Sequence, residues 1–231
     1  MFQSIQLITL ASILTIIQTL SNQLSFKNLL AQSRALQVDP DEGWTEIKYE
    51  YEIQKDWNVS LNKRYSYDGD SDTHYFIVYK KDNPHNIKST TKPRTEMAIR
   101  HYWTTNGSHQ FEGEVYVPLG TSGVSLLQIF GGNMSATKPQ ATSFMLQIDN
   151  GNLTSQSNKV LQQDSYDRWI KVNIIHHAST RKILLFLDGI NVYKTTDSGQ
   201  DQHLFMCGAN TQKNASNLMI VKWRNIKIFT K

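Results

Sequence analysis

Cysteine is nearly absent from this chain: its 231 residues include one, Cys207. No intrachain disulfide can form, which excludes a small cross-linked scaffold. Cys207 lies in the apolar run Leu204-Phe-Met-Cys, where a buried, unreactive thiol is expected rather than a nucleophile. Charge is sparse as well. Charged side chains make up 19% of the sequence and the net charge is +4. No run is dense in Lys and Arg, so nucleic acid is not an expected partner. No Gly-x-Ser-x-Gly elbow occurs, which removes one common hydrolase nucleophile. No pair of histidines or carboxylates has recognisable ligand spacing, so neither a metal nor a cofactor is expected. There is no internal repeat, no Pro- or Gly-rich linker and, apart from a short stretch near Lys27 to Leu36, no helical periodicity after the leader.

What is present begins with an uncharged leader. Residues 1–26 carry no ionisable side chain, and their apolar centre runs from Leu7 to Ile17. That length suits a secretory signal and is short for a membrane span, so a signal peptide is expected over residues 1–25, with no stable span after cleavage. Asn-x-Ser/Thr sequons follow at Asn58, Asn106, Asn133, Asn152 and Asn214. With the leader they point to a glycoprotein of the secretory pathway, extracellular (in the cell wall) or vacuolar.

From about Gly43 onward the pattern is strand after strand. Expected strands include 64–67, 73–80, 94–103, 111–117, 124–130, 143–149, 168–177, 182–187, 190–195, 203–209 and 218–229. Asp188-Gly189 and Asp149-Asn-Gly-Asn152 supply the positive φ that tight hairpins need. The expected fold is therefore all-β: one sandwich of two antiparallel sheets over residues 40–231, with hydrophobic content of 39% to fill its core.

The most distinctive strand is Lys92-Pro-Arg-Thr-Glu-Met-Ala-Ile-Arg100. A period of two puts Arg94, Glu96, Ala98 and Arg100 on one face and Thr95, Met97 and Ile99 on the other. Taken alone, the polar face fits an exposed ion-pair ladder better than a ligand floor. Two further segments change the balance. Gln128 sits in an apolar strand, where a buried amide needs a partner. Met206, Asn210 and Gln212 share a face of 204–212, opposite Phe205, Cys207 and Ala209. Of the many aromatics, Trp103 and Tyr116 are the expected groove rims, and the rest are assigned to packing.

These residues also carry a resemblance. Asp39-Pro40, Gly43-Trp44, Arg64-Tyr-Ser-Tyr67, Lys92-Pro-Arg-Thr-Glu96, Gln110-Phe-Glu-Gly113, Tyr166-Asp-Arg-Trp169, Leu187-Asp-Gly189 and Trp223-Arg-Asn-Ile-Lys227 resemble the alginate lyase 2 domain family, in particular its plant citrate-binding-protein-like branch. The resemblance implies a β-jelly-roll of the concanavalin A-like kind. In active lyases of the family, Arg, Gln and His neutralise a uronate carboxylate, which acidifies the C5 proton. A Tyr or His then removes that proton in a β-elimination. Arg94, Glu96 and Arg100 match the first family motif, and Gln128 matches the second. Phe130 stands where the histidine belongs, and Met206 and Asn210 replace the Lys and Tyr of the third, which Gly208 and Gln212 match. Phe cannot move a proton, and Asn is no acid or base.

The expectation from sequence is accordingly a catalytically inert binding protein for an acidic saccharide or a small carboxylate such as citrate. Its ligand-binding residues would be Arg94, Glu96, Arg100, Gln128, Asn210 and Gln212. The alternative is a polysaccharide lyase that cleaves a uronate polymer with a rearranged base. Among the remaining histidines, His203 is the best substitute and His101 faces away from Arg100. His176 and His177 read as ordinary strand and rim residues.

Overall fold

A computed structural model describes residue 18 and residues 40–135, 140–199 and 201–231. The signal peptide expected over residues 1–25 lies outside the described residues, Gln18 aside. No helix among the described residues is long and apolar enough to cross a membrane.

Pro40–Lys231 forms one compact unit built from β1 (Thr45–Ile47), β2 (Tyr51–Gln54), β3 (Tyr65–Asp68), β4 (Thr73–Tyr79), β5 (Arg94–Ile99), β6 (Ser108–Tyr116), β7 (Val124–Asn133), β8 (Gln140–Asp149), β9 (Asn152–Ser155), β10 (Val160–Gln162), β11 (Trp169–His177), β12 (Lys182–Leu187), β13 (Ile190–Thr196), β14 (Leu204–Thr211) and β15 (Leu218–Thr230). Two antiparallel sheets result. One runs β13-β12-β11-β6-β15-β4-β3, with β1 also on β15; the other runs β10-β9-β8-β7-β14-β5-β2. This is the all-β jelly-roll sandwich expected from sequence. The strands not anticipated (β1, β2, β9 and β10) are short, and three of them are edge pieces whose backbone pairing outweighs their weak apolar alternation.

Alternation fixes which face of each strand turns inward. Met97, Ile99, Leu127, Ile129, Phe144, Phe205 and Cys207 of the seven-stranded sheet are fully buried in the core, facing Phe76, Phe111, Val221 and Trp223 of the other. Each such apolar side chain contributes about 1.5–3 kcal/mol on leaving water. Two turns hold the register. Asn150 and Gly151 have φ of 47° and 81°, and Asp188 and Gly189 have φ of 50° and 78°. These primed turns bring Asp149 opposite Asn152 and Leu187 opposite Ile190. Inward packing of Met97, Ile129 and Phe205 leaves Glu96, Gln128 and Met206 on the opposite face of the seven-stranded sheet, where the candidate site lies.

Candidate active site

Four strands deliver the polar residues. Asn210 of β14 pairs with Arg94 of β5, Gly208 with Glu96, and Gln54 of β2 with Glu96 from the other side. On β7, Gln128 pairs with Met206. Neighbouring strands therefore set Gln54, Glu96, Asn210 and Gln128 side by side on one face.

Glu96 is the hub. It is wholly buried although it faces away from the sandwich core. Gln128 Nε2 donates a short hydrogen bond to Oε1. Asn210 Nδ2 donates to Oε2 at 3.1 Å, and the Arg94 Nη1 donates to the same oxygen at 3.4 Å. Burial pushes the Glu96 carboxyl above its ordinary range, and Arg94, Gln128 and Asn210 pull it back. Glu96 thus gathers one guanidinium and two amides into the floor of the site. Gln212 Nε2 extends the array by donating to the Asn210 backbone oxygen at 3.3 Å. Beyond it opens a cleft of about 420 Å³, lined in part by Lys92, Gln147, Gln156, Gln212 and Lys213.

Arg100 does not join this group. It lies at the exposed edge, one residue beyond the end of β5 at Ile99, and pairs with Glu52 at 3.1 Å. The expected aromatic rims are also displaced. Trp103 is buried between the sheets, its ring 4.7 Å from Phe205, and Tyr116 belongs to β6 in the other sheet. Counting on beyond the last paired residue, Ile99, misplaced Trp103; nothing local marks the sheet to which Tyr116 belongs.

Folding also assembles a group that no spacing revealed. Ligand atoms of His176, Asp197 and His203 all lie within 4.8 Å of one another, and all three residues are buried. Trp103 Nε1 donates to His176 Nδ1 at 2.9 Å, so the His176 proton resides on Nε2 and is given to Asp197 Oδ2 at 3.0 Å. Burial holds the His176 imidazolium pKa down at about 4. Arg181 Nε donates to the other Asp197 oxygen at 2.8 Å. With Nδ1 accepting and Nε2 protonated, His176 has no lone pair left for an ion, and the cluster stands as a hydrogen-bonded strut. Among the described residues the His203 ring makes no well-formed hydrogen bond, though Phe130, Gly131 and Gly199 backbone groups adjoin it. It packs against Trp103 and His176, with ring centroids 6.0 and 4.8 Å away. The cluster residues come from separate strands and loops, so sequence spacing carried no trace of it.

A family model described as alginate lyase matches residues 38–230. The chain belongs to this family. A citrate-binding protein of Hevea brasiliensis is 36% identical over 196 residues, covering 83% of this chain and 79% of that one. Alginate lyase A1-II′, of polysaccharide lyase family 7, shares the fold with a TM-score of 0.62 at 15% identity, over 78% of this chain and 94% of its own. The family 7 alginate lyase AlyA1 of Zobellia galactanivorans gives 0.55 at 17% identity, over 81% and 95%. These findings overturn the expectation of an inert binding groove. The chain is a member of an alginate lyase family with the fold of solved lyases. Its His176–Asp197–His203 group, joined by no sequence spacing, lies buried among the described residues.

Proposed function

We propose that this protein is a polysaccharide lyase that cleaves a uronate polymer by β-elimination. The observation that carries the reading is the Arg94–Gln128–Asn210 array gathered by Glu96, in which the Arg94 Nε–H is buried and unpartnered among the described residues. A buried guanidinium donor without a partner is costly unless a ligand oxygen supplies one. A uronate carboxylate set there would be neutralised by charge-assisted hydrogen bonds, which lowers the barrier to loss of its C5 proton. The carboxylate of citrate fits the same donors, so citrate is an expected competitor of the polymer.

The test is incubation with alginate, glucuronan and pectic polymers, followed by ultraviolet absorbance of the unsaturated uronate at the new chain end. Absorbance should rise with at least one of them, and Arg94→Ala should lower the rate by about 100-fold or more. A flat trace on all of these polymers from acid to alkaline pH would refute the lyase.

A further inference from the structure

The β-elimination needs a proton acceptor, and neither Phe130 nor Asn210 can be one. The structure offers a different group at the same end of the sheet. The segment between β4 and β5 is pinned to the end of β2. Asn83 donates its backbone N–H to Asp56 Oδ2 at 2.8 Å, and the Trp57 N–H donates to the Pro84 carbonyl at 3.2 Å. Asp56 lies two residues beyond Gln54, which stands opposite Glu96 on the face of the site. The next residue in the pinned segment is His85. Its ring is half-buried, and the charges of Arg94 and Glu52, both on that face, act on it.

Three polar atoms at this corner are buried without a hydrogen-bond partner among the described residues: Gln54 Oε1, His85 Nδ1 and Arg94 Nε. They are chemically different: an amide acceptor, an imidazole nitrogen and a guanidinium donor. Leaving all three unpaired costs free energy that a ligand bearing both a carboxylate and a hydroxyl would recover. A uronate residue has both. Arg94 Nε–H would bond its carboxylate, Gln54 Oε1 would accept from a ring hydroxyl, and the imidazole would meet the C–H edge of the sugar.

Resting on the lyase reading, we propose that His85 is the general base of the elimination, with Gln54 and Arg94 orienting the uronate beside it. Neutral His85 takes the C5 proton and becomes imidazolium. The C5–H electron pair forms the C4=C5 double bond as the C4–O bond breaks. The departing glycosidic oxygen takes a proton from the imidazolium or from water, and the base is restored. Burial and the adjoining Arg94 charge hold the imidazolium pKa below its ordinary value, so the ring is unprotonated and ready at neutral pH.

The experiment compares wild type, His85→Ala and His85→Gln on whichever polyuronate the wild type cleaves, with thermal unfolding to establish that each variant is folded. Both variants should lose about 100-fold or more in kcat with KM little changed, and added imidazole should restore part of the rate to His85→Ala. The acidic limb of the pH–rate profile should vanish with the imidazole. An independent measurement follows the His85 ring by NMR: saturating His85 in Arg94→Ala and in wild type with a trimer of the same uronate should shift its titration in the wild type alone. Unchanged kcat and pH profile in folded His85 variants would overturn this role and leave the lyase standing. Failure of the wild type to cleave any polyuronate would overturn both.

Discussion

Glu96 is the residue on which the site's geometry depends. Its carboxylate accepts from Gln128, Asn210 and Arg94 while excluded from water. Those bonds compensate a desolvation that would otherwise be prohibitive. Glu96→Ala removes the common acceptor and leaves one guanidinium and two amides unpaired in the floor. The expected loss is about 3 kcal/mol of unfolding free energy by urea denaturation, with lyase activity falling in parallel. A stability change within experimental error would show that Glu96 is not the hub. The strand 94–100 was legible as an alternating polar face, and membership of Arg94, Glu96, Gln128 and Asn210 in one group followed from the motifs. That Arg100 would leave the group for Glu52 was not legible. The departure depends on where pairing with β14 and β2 stops, and no residue of β5 records it.

At the level of strands, the close approach of β14 to β5 is decided by Gly208. Its φ is 139°, and a Cβ there would lie 2.6 Å from the Thr95 carbonyl and 2.9 Å from the Glu96 Cα. Any side chain must push the two strands apart directly beneath the hub. Gly208→Ala should therefore lower kcat/KM by about tenfold or more and destabilise the fold by about 1–3 kcal/mol. Kinetics alongside urea unfolding test this, and full activity in the variant would contradict it. The hairpin signals at Asn150-Gly151 and Asp188-Gly189 were readable because their chemistry is local. The pinning of the segment that carries His85, through Asn83 and Asp56, was not readable, because it joins residues 27 positions apart through one carboxylate.

For the whole molecule, the His176 strut ties acid stability to the packing of the two sheets. His176 belongs to β11, and its partners are Trp103 from the connection between β5 and β6, which crosses from one sheet to the other, and Asp197 from just after β13. The imidazolium pKa is about 4 in the fold, against an ordinary value of 6.5. The unfolded chain therefore binds the proton first as pH falls, and stability present above pH 6.5 is lost between there and pH 4. Between pH 7 and pH 5 the wild type should lose about 2 kcal/mol through this group. His176→Gln keeps an acceptor for Trp103 and a donor for Asp197 without the titration, so its stability should be flatter over the same interval. Parallel slopes for the two proteins in urea midpoint against pH would rule the strut out as the acid-sensitive element. Glycans at Asn58, Asn106 and Asn214 would sit on exposed positions, whereas Asn133 and Asn152 are half-buried.

The sequence by itself determined most of the strands, two of the hairpin turns, the inward faces of the apolar strands and the family, because alternation, turn chemistry and contiguous motifs act over a few residues. It also showed that neither Phe130 nor Asn210 can take up a proton, because a phenyl ring and a carboxamide have no basic group. Only the tertiary structure decided which residues meet. Sheet pairing gathered Arg94, Gln128 and Asn210 on Glu96, the β4–β5 segment put His85 within reach of the Arg94 charge, and sandwich closure assembled His176, Asp197 and His203. The reason is that a buried polar atom takes whatever partner the packed sheets bring within about 3 Å, and that choice depends on pairing register and closure rather than on distance along the chain.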